Sequence, residues 1–318
     1  MQSQYLHQLN EFPDLLRILE RETGILPQLI EKDYWIMHVL YGLKLQGFEF
    51  ELKGGTSLSK GYGIIHRFSE DIDIHIKPPS ELRVNSNPKN TKEKAIESRK
   101  SYYDWLAKEI RIEGIVSLVR DTAFDNPTTY NSGGIRLHYE SYTEKVDGIK
   151  EGILLEAGFD TITPNENKTI SSWAFDKALS THGIAIIDNR AVDIACYHPG
   201  YTLVEKLQTI ITKFRREQET DTVYPNLMRQ YYDVYNLLGV EMVQNFTDTP
   251  EYRRHKEERF PNKDKEIPIS ENEALLLSDP ERREQFKKRY EATRHLYYKG
   301  QPPFEELLAR IKDFLPRL

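Results

Sequence analysis

Asp71 and Asp73 sit one residue apart in the run Phe68-Ser69-Glu70-Asp71-Ile72-Asp73-Ile74-His75-Ile76. In an extended strand alternate side chains share a face, so the two carboxylates project to one side while Ile72, Ile74 and Ile76 project to the other. Like charges held that close repel each other, and Mg²⁺, a hard cation that takes oxygen ligands, is the usual counterweight. Taken alone, the pattern also fits an ordinary amphipathic strand with a wet acidic edge. His75 shares the acidic face and reads as a neighbour of the pair, not as a ligand.

The run Lys53-Gly54-Gly55-Thr56-Ser57-Leu58 lies just upstream. Residues 48–52 read as a short strand, Gly54-Gly55 as a turn that needs a permissive backbone, and 57–62 as the first turns of a helix capped by Thr56 or Ser57. Such a strand, turn and helix start present backbone N–H groups and a positive dipole end, which suits phosphate oxygens. The spacing is not that of a P-loop. With the aspartates it describes a triphosphate seat beside a metal site. Glu156 closes the apolar run Ile153-Leu154-Leu155 and is the candidate third carboxylate, reaching the metals from another strand.

Gly54-Gly55-Thr56-Ser57-Leu58 followed by Arg67-Phe68-Ser69-Glu70-Asp71-Ile72-Asp73 resembles the nucleotidyltransferase superfamily of the polymerase β type, and within it the AbiEii/AbiGii toxin family. The run Glu31-Lys32-Asp33-Tyr34-Trp35 is similar to that family's N-terminal helix. The resemblance covers roughly the first half strongly. It runs more loosely from Lys206 to Asp233. It implies an α/β (α+β) fold: a mixed sheet with flanking helices as the catalytic lobe over residues 1–165. A mainly helical lobe over 166–318 then completes the site and ends in a basic helical subdomain from about 270.

The resemblance also implies chemistry. Asp71 and Asp73 hold two Mg²⁺ ions, and Gly54, Gly55, Thr56 and Ser57 cradle the triphosphate of an NTP. Val204-Glu205-Lys206-Leu207 is similar to the family's lysine motif, which places Lys206 on the nucleotide phosphates. Tyr232-Asp233-Val234-Tyr235 is similar to its later aspartate motif, which places Asp233 where it orients or deprotonates the acceptor hydroxyl. The implied acceptor is an RNA 3′ end, that of tRNA above all, and the implied outcome is growth arrest or phage resistance, held in check by an AbiEi-like antitoxin. Two other readings stay open on the residues alone: transfer to a protein side chain or a small molecule, and a non-catalytic RNA-binding module.

Composition narrows the classes. A chain of 318 residues, 38% hydrophobic and 30% charged, has room for a catalytic core and a second domain. A net charge of −6 argues against a globally basic nucleic-acid binder, so any RNA site must be regional. The single cysteine, Cys196, excludes an intramolecular disulfide framework and a Cys-rich zinc site, and its apolar strand context reads as a buried thiol. The start of the chain has no signal-like pattern and no run has the length of a membrane span, so a cytoplasmic protein without a membrane partner is expected.

Apolar spacing predicts helices over 6–19 and 29–45, with Tyr34 and Trp35 as packing residues and Lys32 and Asp33 on a solvated face. The polar stretch 78–90 reads as an irregular loop, either a flap over the nucleotide or a plain connection. A helix over 95–110 precedes strands at 115–120, 135–139 and 153–156, separated by turn signals at Asn126-Pro127, Gly133-Gly134 and Asp147-Gly148. Residues 165–168 read as a closing loop, and 184–187 with 192–195 as a small hairpin. Beyond it, Val204, Leu207, Ile211 and Phe214 mark one helix face. Arg229 and Asp233 stand four apart, the spacing of a surface ion pair. Residues 249–269 read as a linker. The basic helix 281–299 interleaves cations with Phe286, Tyr290, Tyr297 and Tyr298, fit either to hold RNA or to pack its aromatics inward. The chain shows no internal repeat.

Overall fold

Among the described residues seven strands form one mixed sheet: β1 (Phe50–Lys53), β2 (Asp71–Ile76), β3 (Ile115–Asp121), β4 (Ser132–Tyr139), β5 (Ile153–Gly158), β6 (Asn165–Ile170) and β7 (Ala191–Tyr197). Their order is β3-β4-β5-β2-β1-β7-β6. β2 lies antiparallel to β1 and parallel to β5, and β1 lies parallel to β7. This computed structural model describes residues 3–146, 149–160, 162–181, 185–220 and 222–318. It divides into two units, Met1–Tyr62 with Ser69–Tyr197, and Gly63–Phe68 with His198–Leu318.

The central strands show why the sheet forms here. On β2 burial alternates: Ile72, Ile74 and Ile76 are fully buried while Asp71, Asp73 and His75 are half-buried. β5 is buried on both faces except at Glu156, as its near-continuous apolar run requires. The first unit's helices are α1 (Phe12–Thr23), α2 (Pro27–Leu45), the short α3 (Gly54–Thr56) running into a π turn at Ser57–Gly61, α4 (Glu93–Glu109) and α5 (Trp173–Leu179). α2 is the hub, with 14 of its 19 residues buried, Tyr34 and Trp35 among them.

Several expectations are corrected here. Residues 165–168 are not a loop: they open β6, which pairs antiparallel with β7. β7 is not half of a local hairpin, since its other neighbour is β1. Of the expected hairpin's first arm, Ile184 lies outside the described residues, as does the Asp147-Gly148 turn. With β6 and β7 in the sheet, the first unit ends after Tyr197 and not at 165. The loop after β2 is pinned: the buried Arg99 guanidinium donates to the carbonyls of Asn85, Asn87, Asn90 and Thr129.

The second unit is helical: α6 (Pro199–Thr220), α7 (Leu227–Leu237), α8 (Glu241–Phe246), α9 (Pro250–Arg259), α10 (Asn262–Lys265), α11 (Glu273–Leu276), α12 (Pro280–Glu291) and α13 (Phe304–Phe314). Val204, Leu207, Ile211 and Phe214 are buried along α6 as their spacing predicts. The expected linker is folded into α9 and α10, with Tyr252 and Asp264 buried. The basic helix ends at Glu291, and Phe286, Tyr290 and Tyr297 are buried. Its aromatics therefore pack inward, and Arg289 is spent on Glu217 and the Tyr224 carbonyl.

Candidate active site

The β1–β2–β5 register places Lys53 opposite Asp73 and Asp73 opposite Glu156, so one cross-strand row carries a cation and two carboxylates. Asp71 lies two residues along the same face of β2. Crowding tells on these acids. Burial, and then Asp73, pushes Asp71 up from its ordinary value. Burial pushes Glu156 up to about 8, with Asp73 and Asp71 adding repulsion and Lys53 and Lys150 opposing it. Three carboxylates crowded on one face fit a hard divalent cation. Among the described residues no three acid, imidazole or thiol side chains close into a finished cage. Mg²⁺ does not need one, since it keeps several waters and binds through one or two carboxylates plus substrate phosphates.

The glycine turn meets this row directly. Gly54 has φ of +70°, and a Cβ on it would collide with the Asp73 carboxylate, so both conformation and space demand glycine. Thr56 and Ser57 are fully buried, and neither caps the helix: the Thr56 hydroxyl donates to the Asp71 carbonyl at 2.5 Å. Cys196 is a buried thiol, its pKa pushed up by burial to about 11.

Lys32 and Asp33, expected on a solvated face, are buried. The Lys32 ammonium donates to the Lys150 carbonyl at 2.6 Å and pairs with Glu70 at 3.4 Å. Asp33 pairs with Lys60 at 2.7 Å and accepts from the Trp173 backbone N–H. Hydropathy could not find these partners because each lies far along the chain. Lys32 and Lys150 also line a cavity of about 320 Å³ with Gln28, His138 and Tyr139.

Lys206 and Asp233 belong to the helical unit, where they meet. Asp233 is completely buried on α7, 3.0 Å from the Lys206 ammonium. Arg67, in the segment that leads into β2, grips both Asp233 oxygens, at 2.7 and 2.6 Å. These cations hold the carboxyl below its ordinary value against the opposing effect of burial. Spacing suggested that Asp233 lies on the surface; it is instead buried and faces inward to Arg67 and Lys206. A carboxylate occupied this way orients its cations and is ill-suited to take a proton. Arg67 stands in the motif quoted above, yet nothing local announces a partner 166 residues away.

An α/β sheet with paired acids beside a glycine turn defines a nucleotidyl transferase class of site. The family model described as "Nucleotidyl transferase AbiEii toxin, Type IV TA system" matches residues 38–310. The chain belongs to the AbiEii nucleotidyl transferase toxin family, and membership in a toxin–antitoxin system implies an antitoxin partner. No curated protein matches the chain significantly. Among solved structures, it is similar to an antigenic nucleotidyltransferase-like protein from Paracoccidioides brasiliensis, at 10% identity over 72% of this chain and 94% of that one. The TM-score of 0.36 is too low to bear on the site. None of the described helices is long and apolar enough to cross a membrane.

Proposed function

We propose that this toxin uses Mg²⁺ to transfer a nucleoside monophosphate from an NTP to an RNA 3′ end, tRNA being the acceptor class, with release of pyrophosphate. The observation that carries this reading is the row of Asp73 and Glu156 beside Asp71, set against the glycine turn, where burial and then repulsion from the two aspartates push Glu156 up to about 8. These three carboxylates are the residues that would hold the metal. Bound there, Mg²⁺ supplies Lewis-acid stabilisation of the acceptor oxygen and of the leaving pyrophosphate.

The chain's own groups do the rest. The backbone of Gly54, Gly55, Thr56 and Ser57 seats the triphosphate, and Lys53, on the same row as Asp73, offsets charge beside it. From the helical unit, Lys206 is assigned to the phosphates, with Asp233 and Arg67 fixing its direction. The acceptor proton leaves to solvent or to a metal-ligating carboxylate, since Asp233 is held ionised by two cations. The physiological result we assign is growth arrest that limits phage propagation, in the cytoplasm where NTP and RNA are found.

The test is to incubate pure protein with each of four α-labelled NTPs and Mg²⁺, offering total RNA, total protein and small-molecule acceptors in parallel. Label on RNA is the expected result. Label on protein or a small molecule selects the alternative transferase, and RNA binding without label transfer selects the non-catalytic module.

A further inference from the structure

Glu31, Lys32 and Asp33 are consecutive on α2, and successive helical residues point about 100° apart. All three are nonetheless buried, at 1%, 2% and 2% exposure, and each ends on a different segment of the catalytic unit. Lys32 reaches Glu70, the residue before Asp71, and the Lys150 carbonyl on the approach to β5. Glu70 also accepts from the Lys150 N–H, so one knot ties the starts of the two strands that carry Asp71, Asp73 and Glu156. Asp33 takes Lys60, in the π turn that continues the glycine turn, and the Trp173 N–H at the start of α5. Lys60 in addition lies 5.0 Å from the centre of the Trp173 ring. Glu31 accepts from Ser141, Tyr142 and Thr143, the first and last of which line the cavity.

Buried ion pairs are poor sources of stability, because desolvation offsets their attraction, and their best-attested use is to fix register. We propose that Lys32 and Asp33 are positioning residues with separate tasks: Lys32 sets the spacing of the metal-holding strands, and Asp33 sets the phosphate-seating turn. The proposal rests on the reading of Asp71, Asp73 and Glu156 as the metal site. It assigns no direct substrate contact to either residue.

Separate tasks give separate signatures, and both can be read on the full-length protein without turnover. Mn²⁺ binding is measured by electron paramagnetic resonance, and binding of a non-hydrolysable NTP analogue by calorimetry. Lys32→Met combined with Glu70→Gln should weaken Mn²⁺ roughly tenfold, the low end of what removing an outer partner of a metal site costs, and Lys32→Arg should recover part of the loss. Asp33→Asn, which can still accept from Trp173, should weaken the analogue roughly tenfold and leave Mn²⁺ within about twofold. Glu31→Gln should leave both within about twofold. Lys32→Gln, which keeps a donor for the Lys150 carbonyl but drops the charge, is the second variant should the double substitution not fold. If the Lys32 and Asp33 variants lose both ligands equally, or neither loses any, the division of tasks is overturned. If wild type binds Mn²⁺ no better than Asp73→Ala, the metal site itself is wrong and the proposal falls with it, an outcome distinct from equal losses on a wild type that binds.

Discussion

Burial, and then repulsion from Asp73, holds Glu156 above its ordinary value, and that cost is measurable as a pH dependence. Its pKa rises from an ordinary 4.5 to about 8 in the folded chain, so between those values the native state holds a proton that the unfolded chain has released. The contribution of Glu156 to the stability of the metal-free protein should therefore fall as pH climbs from about 4.5 to 8, with Asp71 shifting in the same direction, while buried His7 and His38, held below their ordinary value by burial, act in the opposite sense up to about pH 6.5. Thermal melts in EDTA at pH 6 and pH 8 should show wild type losing stability relative to Glu156→Gln as pH rises, a comparison in which the histidine contributions cancel, and an equal change in both proteins would contradict the raised Glu156. Removing Asp73 relieves the repulsion, so Asp73→Ala should melt no lower than wild type in EDTA. A second residue-scale prediction concerns Arg67. Its loss leaves the buried Asp233 with Lys206 alone, and truncating one side of a buried pair costs about 3–5 kcal/mol. Urea melts of Arg67→Ala should show that loss, and a surface-like change under 1 kcal/mol would contradict the buried clamp.

At the scale of elements, the glycine turn and β2 act as one piece. Gly54→Ala faces both a positive φ and the Asp73 carboxylate, so it should destabilise by about 1 kcal/mol or more and abolish metal binding, whereas a mere flexibility effect would leave metal binding intact. Helix α12 divides its cations. Arg289 is structural through Glu217 and Tyr224, so Arg289→Ala should lower stability by about 1–2 kcal/mol. Half-buried Lys287 and exposed Lys288 are the ones to neutralise when RNA is measured: their double replacement should flatten the salt dependence of binding, because fewer counterions are released. Equal slopes for variant and wild type would remove this helix from the RNA path. Period-2 and helical spacing made β2, β4, β5, α4 and α6 legible in the sequence, because their burial follows the pattern of their own residues, whereas β3 and α2 were legible as elements but not in burial: Val116 and Val119 are exposed and Glu31, Lys32 and Asp33 are buried. β6 was not legible: Asn165-Glu166-Asn167-Lys168 is polar throughout and becomes a strand only by pairing with β7. Lys32 and Asp33 misled for the complementary reason, being charged residues whose partners are supplied by segments 27 to 140 residues away.

Over the whole molecule, a net charge of −6 means that an RNA acceptor must be drawn to local cations and not to the protein's mean field. The acids most concerned, Asp71, Asp73 and Glu156, are also the ones a metal would neutralise, so metal binding and tolerance of a polyanionic substrate are coupled. Asp71 and Asp73 were legible as a pair from spacing. Glu156 was legible only as the polar end of an apolar run, and the register of β5 against β2 is what joins it to them. The most direct test of the account compares NTP labelled at the α-phosphate with NTP labelled at the γ-phosphate, in wild type and Asp73→Ala, with RNA and Mg²⁺ present. The account predicts that α-label enters RNA with wild type alone, that γ-label appears as pyrophosphate and never in RNA, and that EDTA stops both. Transfer of α-label by Asp73→Ala at the wild-type rate, or entry of γ-label into the acceptor, would contradict it.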